Sequence, residues 1–321
     1  MRKALVVGLN NYPKCPLRGC VNDAQAVAKL LSNNEDGSPN FEVKEIYDCV
    51  TRTTLESSIC KLFDGKSEVE LFYFSGHGMV QSNISYIVTT DDIGCNGVSL
   101  DYILDLANRS KARHKIIVLD SCYSGAMGTP SYFGNSNAFI GEGLTILTSC
   151  MSNETSLEKG DHGVFTSLFL EALKGGAADI SGKISPGSIY AYIDKALSLW
   201  EQRPVFKTNV SSFLSIREVN PPIPAECLRK ITTYFSNKKD VFHLDPSFEY
   251  TNSPEIKHDI IEPYAVDSNV RIFQNLQKLE SVGLVCPVGE EHMYYAAMNS
   301  KSCKLTPLGQ HYWNLAKNNK V

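Results

Sequence analysis

The chain has 321 residues, 43% of them hydrophobic and 21% charged, with a formal net charge of −4. This is the balance of a folded globular protein, and it carries no general pull toward nucleic acid or an anionic membrane. No apolar run approaches the roughly 20 residues that span a bilayer. The basic-then-apolar start at residues 1–8 is cut short by Asn10-Asn11, so it reads as a first core strand rather than a signal peptide. Ten scattered cysteines without a C-x-x-C spacing imply neither a zinc site nor a disulfide lattice, and fit a reduced, cytoplasmic protein.

In chain order, residues 3–9 are apolar and β-branched, a strand. Val21, Ala24, Val27, Ala28 and Leu31 recur at helical spacing, predicting a helix over 21–31. Residues 42–47 alternate as a half-buried strand, and Leu55, Ile59 and Leu62 predict a helix over 53–63. A buried strand at 69–74, interrupted by Glu70, a short strand at 86–89 and a helix over 99–107 follow. Then come strands at 115–119 and 144–148, helices over 164–173 and 188–200, and a short strand at 204–206. Strands interleaved with helices predict an α/β fold with a mostly parallel sheet covered on both faces.

The composition changes at 218–224, where Pro221-Pro222-Ile223-Pro224 makes a stiff linker. It separates a first domain, 1–217, from a second, 225–321. In the second, Val270, Phe273, Leu276 and Leu279 predict a helix over 270–281, stopped by Gly283. A strand opens at Leu284-Val285, residues 288–292 turn, and 293–297 read as the return strand. A closing helix starts at Leu305-Thr306-Pro307 and carries Tyr312, Trp313 and Leu315.

Two motifs carry the chemistry: Ser75-Gly76-His77-Gly78 and Asp120-Ser121-Cys122-Tyr123-Ser124-Gly125. Each follows a buried-strand pattern, so a parallel sheet would deliver both to its carboxyl edge, where open α/β folds place ligands. A cysteine attacks as a thiolate, and a neighbouring histidine can take its proton and return it to a leaving amine. The main-chain N–H groups of Gly78 and Cys122 are candidates for an oxyanion hole. Either residue alone reads more simply as a core thiol or a satisfied imidazole; the pairing is what points to a site. Asp120 precedes the Ser-Cys pair and Asp23 opens the first helix. Facing one cleft, they would favour Arg or Lys before the scissile bond, although an acid in a first helical turn also serves the helix dipole.

The segments Tyr73-Phe74-Ser75-Gly76-His77-Gly78 and Leu119-Asp120-Ser121-Cys122-Tyr123-Ser124-Gly125 resemble the signatures of caspase-like (clan CD, peptidase C14) cysteine peptidases of the metacaspase and bacterial orthocaspase type. Residues 3–12 with 17–24 resemble the family's opening strand and first helix, and His162-Gly163-Val164-Phe165-Thr166 its small-subunit helix start. The resemblance covers about residues 1–215. It implies Cys122 as nucleophile, His77 as general base and acid, and Cys20, Asp23, Ser75 and Asp120 as a pocket for a basic residue. Many metacaspases take calcium through an acidic cluster after the histidine; the comparable residues here are Asp91, Asp92 and Asp101, and with the second acidic pair reduced to Asp101 they read by default as solvated loop acids, with no cofactor expected. Residues 123–158 contain no Lys or Arg, so a protease specific for basic residues would leave that loop uncut, with Lys159 and Lys174 the nearest candidates. Residues 123–143, rich in Gly, Ser and Asn, read as a lid.

The helix–hairpin–helix pattern of 270–315 resembles a winged helix. Residues 225–321 hold eleven basic and eleven acidic residues, and Glu290-Glu291 at the turn would meet phosphate badly, which favours a protein partner over nucleic acid. Fusion of a caspase-like domain to such a module implies a regulated effector in cell death or antiviral defence. The alternatives are a catalytically silent caspase-like scaffold, or a nucleic-acid-binding regulator acting through the winged helix. An acyl-transferring ligase would use the same dyad.

Overall fold

The computed structural model describes residues 1–48, 50–82, 84–91, 97–121, 140–149, 162–197, 204–255 and 260–321, and the backbone of 158–159. The chain divides into two compact units, Met1–Asn220 and Pro221–Val321.

The first unit opens with β1 (Arg2–Gly8), α1 (Cys20–Ser32), β2 (Glu42–Tyr47), α2 (Arg52–Phe63) and β3 (Val69–Ser75). Next come three short strands, β4 (Gly78–Gln81), β5 (Ile84–Val88) and β6 (Gly97–Ser99), then α3 (Leu100–Arg109), β7 (His114–Asp120) and β8 (Leu144–Thr148). A two-residue hairpin, β9 (Glu158–Lys159) and β10 (His162–Gly163), leads into α4 (Val164–Glu171), which runs on through a π-helical turn at Ala172–Gly176. The unit closes with β11 (Lys183–Ile184), α5 (Pro186–Ala196), β12 (Val205–Asn209) and β13 (Arg217–Glu218).

Six of these strands form one sheet in the order β12-β8-β7-β3-β1-β2. The first five strands from the β2 edge are parallel, and β12 closes the far edge antiparallel to β8. The pleat sends alternate side chains to opposite faces. Ala4, Val6, Leu71, Tyr73, Ile116, Val118 and Leu147 enter the core under α1, α4 and α5. Leu5, Val7, Phe72, Phe74, Ile117, Leu119 and Ile146 enter the core under α2 and α3. Burial on both faces is why these strands read as continuous apolar runs. The intruding Glu70 is fully buried and accepts a 2.6 Å hydrogen bond from Ser110 Oγ.

The strand order reverses at β1, whose neighbours are β2 on one side and β3 on the other. That is the topological switch point, and the crevice beyond the carboxyl ends there is the ligand position of such sheets. The strand ends are level: Gly8 pairs with Ser75, and Ser75 with Asp120. A Cβ on Gly8 would stand 2.3 Å from the Cys20 oxygen, so glycine lets α1 start directly against the end of β1.

A second sheet, β4-β5-β6, is antiparallel and follows His77. Sequence patterning finds only β5, because β4 is short and half-exposed and carries no clean alternation.

The second unit comprises α6 (Ala225–Arg229), α7 (Ile231–Tyr234), β14 (Val241–His243), α8 (Asp267–Ser281), β15 (Val285–Val288), α9 (Met293–Met298), β16 (Ser302–Leu305) and α10 (Pro307–Lys317). Its sheet is antiparallel, in the order β14-β16-β15. Gly283 adopts φ +72°, and Leu284 N–H returns to the Leu279 oxygen, the glycine helix stop that the sequence predicts. The predicted return strand at 293–297 is instead α9. Met293, Ala296 and Ala297 are its buried residues, an i, i+3, i+4 set that belongs to a helix face. The strand that returns is β16, with Val285 opposite Leu305. No helix among the described residues is long and apolar enough to cross a membrane.

Candidate active site

The carboxyl edge at the switch point is built from three segments. The β1–α1 loop is pinned at both ends. Asn10 Oδ1 accepts from the N–H groups of Cys20 and Val21 at 3.0 and 3.3 Å, which caps the first turn of α1. Asp48, just after β2, accepts from the N–H groups of Asn10 and Asn11 at 2.6 and 2.9 Å. The loop so held presents Tyr12 and Cys15 to His77.

Tyr12 is buried, and burial pushes its phenol well above the ordinary range, so it stays neutral. Its hydroxyl donates to the Val88 oxygen at 3.1 Å and accepts from the His77 N–H at 3.0 Å. Its ring lies 4.5 Å from the His77 ring. A Cβ at Gly76 would come within 2.5 Å of the Tyr12 hydroxyl, so only glycine fits before the histidine.

His77 Nε2 is 2.6 Å from the Cys15 main-chain oxygen. A carbonyl only accepts, so Nε2 carries the hydrogen and the neutral ring keeps Nδ1 as its basic atom. The ring is thus fixed in orientation and tautomer before any substrate arrives. Cys122 lies outside the described residues, as does most of the predicted lid, 123–143. Gly78 opens β4, opposite Ile87.

Cys20, Asp23, Ser75 and Asp120 gather at the same edge, all of them buried. Ser75 Oγ donates to Asp23 Oδ2 at 3.2 Å. The Gly163 N–H reaches the same oxygen at 3.3 Å, and His162 Nδ1 donates to Oδ1 at 2.6 Å. Asp120 Oδ2 accepts from Thr166 Oγ1 at 2.7 Å and from Thr166 N–H at 3.3 Å. The Tyr73 hydroxyl in turn lies 2.6 Å from Thr166 Oγ1. Gly163 is seated over both acids: a Cβ there would lie 2.5 Å from Asp120 Oδ2 and 3.5 Å from Asp23 Oδ2.

Burial raises the pKa of Asp23 against the opposing hydrogen bonds of His162, Gly163 and Ser75. Burial also pushes Asp120 up to about 6, with the nearby charge of Asp23 adding to it. Two buried carboxyls held above their ordinary range make this edge the candidate site.

Of the acids comparable to a metacaspase calcium cluster, Asp91 accepts from Thr89 Oγ1 at 2.6 Å and from the Arg52 N–H at 3.2 Å, which ties it to the start of α2. Asp101 sits in the first turn of α3, and Asp92 lies outside the described residues. Among the described residues, no group of three or more His, Cys, Asp or Glu side chains is arranged to hold a metal ion.

Sequence reasoning did not assign roles to Tyr12, to the Cys15 carbonyl, or to His162 and Thr166. The last two stand in the 162–166 motif, but nothing in the motif states that they bond the two acids.

The family model for the caspase domain matches residues 1–214. Among solved structures, protein GSU0716 from Geobacter sulfurreducens aligns with a TM-score of 0.52 and 20% identity, over 68% of this chain and 99% of that one. Caspase-1 from Spodoptera frugiperda aligns with a TM-score of 0.51 and 12% identity, over 68% of this chain and 90% of its own. At these identities the likeness is one of fold. No curated protein sequence matches the chain.

Proposed function

The chain belongs to the caspase-domain family, a family of cysteine peptidases, and on that premise we propose that it is an endopeptidase that cuts peptide bonds after Arg or Lys. Cys122 is the nucleophile in this reading. His77 Nδ1 takes the thiol proton as the sulfur attacks the scissile carbonyl carbon. The N–H groups of Gly78 and Cys122 hold the oxyanion. Collapse breaks the C–N bond, and His77 returns the proton to the leaving amine. Water, deprotonated by His77, then cleaves the thioester and restores the thiol. The fixed Nε2–H···O bond to Cys15 supports this assignment, because it leaves Nδ1 as the free base.

The preference for a basic residue rests on one observation: two buried carboxyls, Asp23 and Asp120, meet at the carboxyl edge of the sheet by Ser75, two residues before His77. Their described partners are hydroxyls, main-chain N–H groups and one imidazole. A guanidinium or ammonium would supply the charge they lack. Cys20 and Ser75 complete the floor.

We place the protein as a regulated effector in cell death or antiviral defence. Its second unit would dock a partner protein, a role supported by its even charge and by exposed Tyr250, Tyr264, Tyr294 and Tyr295. The test of the enzymatic reading is a panel of fluorogenic peptides with Arg, Lys, Asp or Ala before the bond, run on the parent and on Cys122→Ala. Cleavage after Arg and Lys that vanishes in the variant is expected. Cleavage after Asp would overturn the pocket, and activity that survives in the variant would overturn the nucleophile.

A further inference from the structure

His162 is bonded to Asp23, one of the two acids that the proposed function gives to a substrate's cation. It is the first residue of β10, and its side chain keeps 37% of its exposure while the Asp23 side chain that it bonds keeps 2%. The ring therefore bridges a buried carboxylate and the open edge. The bond, Nδ1 to Oδ1 at 2.6 Å, has the length of a charge-assisted hydrogen bond. With Ser75 and Gly163 already on Oδ2, the carboxylate accepts three hydrogen bonds of the roughly four it can take. A bidentate guanidinium cannot form two good bonds to Asp23 while His162 keeps its own.

We propose that His162 is a specificity-determining residue, an internal counter-cation on Asp23 that the basic side chain of a substrate must displace. The inference rests on the acidic-pocket reading above and adds to it a built-in competitor. While His162 is protonated, an entering cation loses one ion pair as it forms another, and binding is weak. Once His162 is neutral, its bond to Asp23 is an ordinary one and yields readily. Affinity for a basic group should therefore rise with pH, and the competitor would also discriminate against weakly held cations.

Two acids lie at the segment that carries this imidazole: Asp23 comes from α1, and Asp120 from the end of β7 meets the same Gly163. The main chain of Lys159 pairs opposite His162 across the hairpin. Asp120 titrates at about 6, so it contributes its own rise in cation binding above that pH. A purely structural role for His162, as a clasp holding the hairpin to α1, predicts the reverse of competition: its loss would weaken the pocket at every pH.

The experiment uses the full chain carrying Cys122→Ala, so that neither turnover nor the thiol's titration interferes. Benzamidine binding is measured by calorimetry between pH 5.5 and 8.5, alone and with His162→Gln or His162→Ala. Glutamine keeps a neutral donor near Asp23 and so separates charge from clasp. The expected result is that His162→Gln binds benzamidine about tenfold more tightly than the parent at pH 5.5 and equally at pH 8.5, one displaced proton being worth at most about tenfold per pH unit. The residual slope in that variant belongs to Asp120 and Asp23, both of which burial raises. Equal binding by parent and His162→Gln at every pH, or weaker binding by both variants throughout, overturns the proposal while leaving the acidic pocket standing. No binding by any of the three proteins overturns the pocket itself, and the proposal with it.

Discussion

His77 and Cys15 are joined by a 2.6 Å hydrogen bond from the ring Nε2 to a main-chain oxygen 62 residues earlier. Because the acceptor is a carbonyl, the bond sets the tautomer and the tilt of the imidazole without adding charge beside it. The Cys15 side chain plays no part in that bond. The chain of support runs from Asp48 through the Asn10–Asn11 main chain to the loop, and from the loop to the ring. A residue at the end of β2 thus positions a histidine at the end of β3.

Tyr12→Phe should lower kcat with little change in KM. It removes one hydroxyl and leaves the His77 N–H and the Val88 oxygen without that partner. A loss of about 1–3 kcal/mol in stability follows from unsatisfied buried groups, with roughly a tenfold fall in kcat from a loosened ring. Steady-state kinetics beside thermal unfolding will separate the two effects, and an unchanged kcat would remove Tyr12 from the site.

Asp120→Asn has a pH signature in stability. The folded carboxyl is raised from 3.8 to about 6, so the folded state binds more protons than the unfolded state between those values. Stability of the parent therefore falls as pH rises through that window and is flat above it. Asparagine does not titrate, so its stability relative to the parent should grow by about 2 kcal/mol from pH 4 to pH 7. Denaturant melts at those two pH values will check this; a difference that stays constant with pH would place Asp120 in an ordinary environment.

Gly163→Ala should damage recognition more than chemistry. The new methyl would sit 2.5 Å from Asp120 Oδ2, closer than any real contact, and must push the 162–166 segment off both acids. A destabilisation of about 1–3 kcal/mol is expected, with at least a tenfold loss in kcat/KM for an arginyl peptide and a smaller loss for an alanyl one. Equal losses on the two peptides would argue that Gly163 serves the fold alone.

The chain should stay whole during long incubation of the active enzyme. Residues 123–158 offer no Lys or Arg to cut. Intact mass measurement reads the outcome directly, and a new terminus inside that stretch would contradict the basic specificity.

The order of strands and helices was legible because the sheet is buried on both faces. Runs such as 71–74 and 116–119 are apolar without interruption, and their lengths fit strands rather than helices. Helix starts read from apolar spacing, at 53 and 99, fall within one residue of the observed Arg52 and Leu100, which Thr51 and Ser99 cap. The 293–297 segment misled because Tyr294 and Tyr295 suit a strand by type, while the deciding fact, burial of Met293 with Ala296 and Ala297, is tertiary. At the site, single-sequence reading picked out charged residues and a candidate nucleophile by their type. It could not find the Cys15 carbonyl, because every residue has one. Nor could it assign His162 to Asp23, 139 residues away, since only the hairpin's return over α1 makes them neighbours.

The central claim, that Cys122 attacks substrates held by the Asp23–Asp120 pair, is tested most directly by covalent capture. An arginyl chloromethyl ketone is incubated with the full chain, and the adduct is located by peptide mass spectrometry, with the aspartyl analogue as control. A single adduct on Cys122 from the arginyl probe, lost in His77→Ala and strongly slowed in Asp23→Asn, is the predicted result. Labelling of a different cysteine such as the exposed Cys15, or equal labelling of Cys122 by the aspartyl probe, would contradict it.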